Sequence, residues 1–214
     1  MTEHTDPPRI GEPFLDAPRV VLASRSPARR AMLFNAGVPV TSDSPGVDEA
    51  ELKTSFGHEG ASAEQVAEGL AEMKARRIAQ RYSKALVIGA DQMLECEGTW
   101  FDKPTNRDAA REHLQALSGR THRLIVCAVA VKDDSRLWHQ TDSAELTMRP
   151  LRAEFIETYL DAVGDAAMQS VGAYQLEGLG PQLFSRIQGD YFTVLGLPLL
   201  PLLGFLREHK VVPT

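Results

Sequence analysis

Residues 19–37 read Arg19-Val20-Val21-Leu22-Ala23-Ser24-Arg25-Ser26-Pro27-Ala28-Arg29-Arg30-Ala31-Met32-Leu33-Phe34-Asn35-Ala36-Gly37. Arg19 to Ala23 is a short apolar run that ends at Ser24, the pattern of a buried strand. Pro27 follows Ser26, and a serine cap with proline in the first helical position is a favoured helix start. Helix-compatible residues continue to Ala36, and Gly37 supplies the stop. A strand passing through a tight turn into a helix at the start of the fold, repeated further along, indicates an α/β chain.

Working outward, Val38 to Ser42 alternates like a second strand. Ser44 to Gly60 is rich in Gly, Asp, Glu and Ser and reads as a loop. Ser62 and Gln65 form a capping box, and the helix after it places Val66, Leu70, Met73 and Ile78 near one stripe, ending about Tyr82. Ala85 to Ala90 is a second apolar strand, with Asp91 at its end. Residues 92–101 fit a hairpin turning at Glu97-Gly98. Thr105 and Asp108 resemble another capping box, before a helix to Leu117. Thr121 to Val131 and Arg136 to Met148 are long strand-like runs joined by a turn at 132–135. A helix is expected from Leu151 to Val163 and a closing one from Pro198 to Glu208. Strand–helix alternation at both ends with a central hairpin predicts an α/β fold with a mixed sheet.

The chain has 214 residues, 43% of them hydrophobic, enough for one full core. Residues 1–17 are expected to form a flexible arm and 18–214 a single domain. The net charge of −6 argues against a general nucleic-acid binder but not against a small anionic ligand met by a local cluster. Cys96 and Cys127 are expected to be reduced thiols. The polar, proline-rich residues 1–13 are not expected to act as a secretory signal. The most apolar stretch, Val194 to Leu206, is broken by prolines and too short for a bilayer. These features predict a cytoplasmic protein with no membrane association.

Several segments carry chemistry. At Ser24-Arg25-Ser26-Pro27-Ala28-Arg29-Arg30, two hydroxyls, three guanidiniums and a helix N-terminus gather donors suited to phosphate oxygens. An ordinary capped helix with surface arginines explains the same residues. Asp91, in Gly89-Ala90-Asp91-Gln92, stands where open α/β sheets bind ligands, and a turn cap is the plainer alternative. Lys74 and Lys103 can neutralise polyphosphate or be solvated. Asp48-Glu49 offers carboxylates suited to Mg²⁺ or Mn²⁺, or a solvated charge run. The glycine-rich block Gly172 to Gly180 suggests unusual backbone angles or close approach to a ligand.

In this order the segments resemble the Maf family of nucleotide pyrophosphatases. The carriers are Ala23-Ser24-Arg25-Ser26-Pro27-Ala28-Arg29, Asp48-Glu49, Leu70-Ala71-Glu72-Met73-Lys74-Ala75, Gly89-Ala90-Asp91, Lys103-Pro104, Leu117-Ser118-Gly119-Arg120-Thr121-His122, Gly172 to Gly178, Gly189-Asp190-Tyr191 and Val194 to Pro198. The match spans roughly residues 19–207. The resemblance implies an elongated mixed sheet flanked by helices, two lobes around a central cleft as in inosine triphosphatases, homodimers, a divalent metal cation and hydrolysis of a nucleoside triphosphate to monophosphate and pyrophosphate. By motif position, Ser24, Arg29, Glu49, Lys74, Asp91 and Lys103 fall on the family's active-site positions. Ser24, the amides after Ser26, Arg29, Lys74 and Lys103 are expected to hold the triphosphate, and Glu49 and Asp91 the Mg²⁺ or Mn²⁺. Asp91 is the family's proton acceptor. An ordinary aspartate is a weak base at neutral pH, so orienting a metal-bound water is the alternative.

Three positions separate the branches of this family. They carry Arg, Thr and Gln in the branch similar to dTTP/UTP pyrophosphatases, and Trp, Gln and Glu in the branch similar to 7-methyl-GTP pyrophosphatases. Here they are Ala28, Gln92 and Glu177. Two of the three follow the 7-methyl-GTP branch. Ala28 departs from it and removes a ring that would stack on a cationic base. The resemblance also leaves open a nucleotide-binding regulator of septum formation that needs no turnover.

Overall fold

The structure is a computed structural model that describes residues 17–58 and 60–213. Residues 1–16 of the expected arm lie outside the described residues. Among the described residues a seven-stranded mixed sheet runs β2-β1-β3-β5-β6-β7, with β4 pairing β3 off this path. β1 (Val20–Ala23) pairs in parallel with β2 (Val40–Asp43) and β3 (Leu86–Cys96). β4 (Thr99–Phe101) and β5 (Thr121–Lys132) both run antiparallel to β3. β6 (Ser135–Met148) pairs antiparallel with β5, and β7 (Phe184–Gln188) covers only the end of β6. This is the expected α/β class, a mixed sheet flanked by helices.

The two faces of the parallel half fill differently. Val20, Leu22, Leu86, Ile88 and Ala90 pack under α1 (Pro27–Asn35) and α7 (Leu199–Glu208). Val21, Ala23, Val87, Met93 and Cys127 pack under α3 (Ala63–Ala79). The strand period of two sends alternate residues to opposite faces, so Asp91 faces α3 and Gln92 faces the other way. A third apolar cluster lies at the far end of the long strands, with Leu94, Leu124 and Leu146 against α4 (Arg107–Leu117) and α5 (Ala153–Val163). Among the described residues, no helix is long and apolar enough to cross a membrane.

Helix α3 lies unusually close to β3. A Cβ on Gly89 would sit 2.1 Å from the Ala71 carbonyl oxygen, so only glycine lets the helix backbone approach there. That approach brings Lys74, one turn along, over the next residue of the same face, Asp91.

Four local expectations are corrected. Residues Glu49–His58 form a helix, α2, where a loop was expected. Asp48 Oδ1 accepts from Glu51 N at 3.2 Å, Glu49 and Glu51 favour the first turn, and Leu52 and Phe56 pack beside α3. Asp91 lies inside β3, which continues to Cys96, and not at a strand end. The parallel pairing with β1 stops at Gly89, however, so Asp91 lies just past the edge of that neighbour. The cap of α4 is Asn106, whose Oδ1 accepts from Ala109 N at 2.8 Å, and not Thr105. The buried stripe of α3 runs through Ala71, Lys74 and Ala75, while Met73 is only half-buried.

Candidate active site

At the turn between β1 and α1, Ser24 Oγ accepts from Ser26 N at 3.1 Å and from Arg29 Nη1 at 3.5 Å. With both acceptor directions used, the hydroxyl hydrogen is left to donate. Ser26 caps the helix, its Oγ accepting from Arg29 N at 3.4 Å. The amides after Ser26 offer less than expected. Pro27 has no N–H, Arg29 N is capped, and Arg30 N bonds Ser26 O. Among the described residues the Ala28 amide is left over, on a half-buried residue.

Arg29 is buried and ties three segments together. Its Nε donates to Gly196 O at 2.7 Å, and its Nη1 donates to Ala90 O at 2.8 Å. Burial lowers its pKa, opposed by the charges of Asp91 and Glu49. The two donors of Nη2 have no hydrogen bond among the described residues, so Arg29 is first an organiser of backbone and only at one edge a group for a ligand.

Lys74 is also buried. Its Nζ lies 2.5 Å from Asp91 Oδ1 and 2.8 Å from Glu49 Oε1. The two carboxylates therefore share one ammonium. Asp91 is 3% exposed, and its second oxygen, Oδ2, is buried without a hydrogen-bond partner among the described residues. An unpaired carboxylate oxygen in that setting is costly and calls for a cation or a donor from a ligand. At Glu49, burial pushes the pKa up, but the Lys74 ammonium outweighs it, helped by Lys53 and Arg29, and the group ends below the ordinary carboxylate value.

Above this ion triad lies an open cleft of about 590 Å³, lined by Arg25, Gly46, Val47, Asp48, Glu49 and Lys103. Glu49 joins the cleft to the buried pair. Desolvation of the Lys103 ammonium, then the charge of Arg29, lowers its pKa even though much of the side chain is exposed. One polar residue beside the cleft escaped the sequence reading. Lys53, on α2, is 12% exposed at its side chain and pairs with Asp102, next to Lys103. Nothing in the local pattern sets Lys53 apart from a surface lysine. Arg25 stood in the motif but was not singled out.

The branch-separating residues sit in different settings, Ala28 half-buried at the start of α1. Gln92 Nε2 donates to Thr193 O at 3.3 Å and Val194 O at 3.0 Å. A Cβ on Gly196 would lie 3.3 Å from both Gln92 Oε1 and Arg29 Nε, which places Gln92 beside Arg29. Glu177 lies in an exposed turn and makes no hydrogen bond or ion pair among the described residues. The His122 and Tyr174 motifs turn out to be scaffold. His122 Nε2 and Tyr174 Oη are 2.7 Å apart inside the far apolar cluster.

A family model described as "Maf-like protein" matches residues 19–209. The chain is 54% identical over 194 residues to a nucleoside triphosphate pyrophosphatase of Paramagnetospirillum magneticum, covering 90% of this chain and 100% of the relative. It is 49% identical over 191 residues to a 7-methyl-GTP pyrophosphatase of Rhizobium meliloti, covering 89% and 96%. A solved structure, the Staphylococcus aureus Ham1 protein, aligns at 15% identity over 61% of this chain and 70% of that one, with a TM-score of 0.34 too low to bear on the fold. With a family model spanning nearly all of the described residues and two such close relatives, the chain belongs to the Maf-like protein family.

Proposed function

We propose that this protein is a nucleoside triphosphate pyrophosphatase that hydrolyses NTP to NMP and pyrophosphate. The observation that carries the reading is the buried Lys74–Asp91 pair, with Asp91 Oδ2 unpartnered and Glu49 linking it to a cleft edged by Lys103 and Arg25. Phosphoryl chemistry needs little covalent help from a protein. It needs positioned cations and a place for the nucleophile. Lys103, Arg25, the Ser24 hydroxyl and the outer edge of Arg29 are the donors for phosphate oxygens. Water attacks the α-phosphorus, the bond to the pyrophosphate oxygen breaks, and the water's proton is drawn toward Asp91 Oδ2.

A divalent cation, Mg²⁺ or Mn²⁺, belongs to the same proposal. The donor set fits: Asp91 Oδ2 is an unsatisfied hard oxygen and Glu49 is its neighbour across Lys74. Among the described residues no group of three or more metal-ligating side chains exists, so waters and phosphate oxygens would complete the shell. When bound, the cation supplies charge to the phosphates and acidifies water. Asp91 takes the proton itself or, with the cation bound, orients the attacking water. A single domain over residues 18–214, a homodimer and a cytoplasmic location complete the reading, the last supported by two buried free cysteines.

For the base we propose a guanine-type preference, with 7-methyl-GTP the best single substrate and looser selection than its branch because Ala28 cannot stack. Gln92 and Glu177 support it. Glu177 is exposed, so its carboxylate discriminates only once a nucleotide covers it. Pyrophosphate release over a panel of nucleotides with Mg²⁺ and with Mn²⁺ tests both levels. Preference for dTTP or UTP over every guanine nucleotide would replace the base assignment with the dTTP/UTP alternative. Turnover of none would leave the regulatory reading of septum formation.

A further inference from the structure

Gln92 is held in one orientation. Both groups its Nε2 meets, Thr193 O and Val194 O, are acceptors only, so the amide nitrogen must face them. Its Oε1 is turned away and has no hydrogen bond among the described residues. Rotating the amide would press an oxygen against two carbonyls. These carbonyls belong to α6 (Tyr191–Val194), a single turn at whose end Thr193 O also accepts from Gly196 N at 3.0 Å.

What fixes α6 therefore fixes Gln92. Thr193 is fully buried. Its backbone N–H donates to Asp190 Oδ2 at 2.9 Å, the cap of the turn. Its hydroxyl Oγ1 lies 3.0 Å from Asp142 Oδ2 and 3.4 Å from Asp190 Oδ2, so its one hydrogen goes first to Asp142. Asp142, Val126 and Gln92 are cross-strand partners in one row, Gln92 opposite Val126 and Val126 opposite Asp142. Directly paired residues share a face of the sheet. The turn is thus pinned at both ends of one row, to Asp142 through the Thr193 hydroxyl and to Gln92 through the Thr193 carbonyl.

We infer that Asp142 and Thr193 are positioning residues that hold Gln92 as an acceptor-only group, and that this sets which base edge Gln92 selects. The inference rests on the proposed role of Gln92 in reading the base. A fixed acceptor favours a base edge presenting N–H groups, as guanine does, over one presenting a carbonyl. A loosened amide can rotate and offer its NH₂ to a pyrimidine carbonyl instead. Asp142 and Thr193 then act on selectivity and not on the chemical step.

The test compares kcat/KM for 7-methyl-GTP, GTP and UTP in the wild type and in Thr193→Val, Thr193→Ser, Asp142→Ala and Asp142→Asn. Valine and alanine remove the hydroxyl–carboxylate contact, while serine and asparagine keep a donor and an acceptor in place. The guanine-over-uridine ratio is expected to fall about tenfold in Thr193→Val and Asp142→Ala, the equivalent of one hydrogen bond. The loss should enter through KM, with kcat within a factor of about two, since no reacting group is touched. The serine and asparagine variants should keep the wild-type ratio. Should Thr193→Val fail to fold, Asp142→Ala reads the same contact from the strand. An unchanged ratio in folded Val and Ala variants overturns the inference, as does an equal change in all four. A wild type that turns over nucleotides without base preference overturns it while leaving the pyrophosphatase reading intact, and one that turns over none removes both.

Discussion

Two buried polar pairs hold opposite ends of this sheet. Lys74 and Asp91 meet at the end of the parallel strands, and His122 and Tyr174 meet in the far apolar cluster. Each leaves one buried atom unpaired among the described residues, Asp91 Oδ2 in the first and His122 Nδ1 in the second. Their surroundings differ. The first pair is ionic and connects through Glu49, whose side chain is 47% exposed, to an open cleft. The second is neutral and enclosed, with Tyr174 and Phe184 rings in edge contact beside it. Burial drives the Tyr174 phenol well above its ordinary value and His122 down to about 4, so neither carries charge near neutral pH. An orphaned atom alone does not mark a site. A charge with an unmet valence next to a solvent path does.

The largest expected effect breaks the ionic pair. Lys74→Met leaves the buried Asp91 without its ion-pair partner and should cost about 3–5 kcal/mol of unfolding free energy in urea. Adding Asp91→Leu removes the stranded charge and should recover most of that loss. If Lys74→Met costs under 1 kcal/mol by itself, Asp91 is better solvated than its burial implies and the contrast with His122 collapses.

The neutral pair is broken by acid. His122 has a native pKa of about 4 against an ordinary 6.5. Below pH 6.5 the unfolded chain takes up a proton that the native chain refuses. The stability contributed by a neutral His122 is therefore complete above pH 6.5 and is lost as the pH falls toward 4. The wild-type advantage over His122→Gln, which cannot titrate, should shrink by about 3 kcal/mol between pH 7 and pH 4. A difference constant over that range would mean that His122 takes up its proton at the same pH in the native chain as in the unfolded one.

Removing the charge of Asp91 while keeping its shape separates function from packing. Asp91→Asn should lower kcat by a factor of about 10² or more. His122→Gln at pH 7 should leave kcat within a factor of about two. Near-normal turnover in a folded Asn variant would remove Asp91 from the chemistry.

What the sequence made legible follows how each residue is recognised. The strand, the Ser26 cap and the hairpins announce themselves through short-range rules and appear as expected. Helix α2 did not, because its apolar contribution is little more than Leu52 and Phe56 amid Gly, Ser and acids, and its stability comes from packing on α3. The candidate site residues were named through the order of motifs, and the structure brings Glu49, Lys74 and Asp91 into one ion triad. Burial of Lys74 was invisible to helical periodicity, which assigned the stripe to Met73, because a lysine reads as solvated unless its partner is known. Nor could periodicity show that Arg29 spends three donors on backbone and Ser24. Lys53 and Asp102 are 49 residues apart and carry no motif, so only the fold pairs them.

That last pair supplies the same lysine–aspartate chemistry at the rim, and with it the smallest expected effect. Asp102 is 64% exposed at its side chain, against 4% for Asp91. Water screens the rim pair, so Asp102→Asn should cost less than about 1 kcal/mol of stability. Its position gives it a second consequence. Lys53 stands one helical turn after Glu49, and Asp102 precedes Lys103, so the pair spans the two walls of the cleft. Loosening it should let Lys103 move away from Glu49, raising KM for triphosphate roughly two- to fivefold with kcat little changed, the equivalent of a fraction of one charged contact. Swapping the charges, Lys53→Asp with Asp102→Lys, should restore KM if the tie between the walls is what matters. A swap that fails to restore KM, while each single variant raises it, would show that Lys53 itself meets the nucleotide.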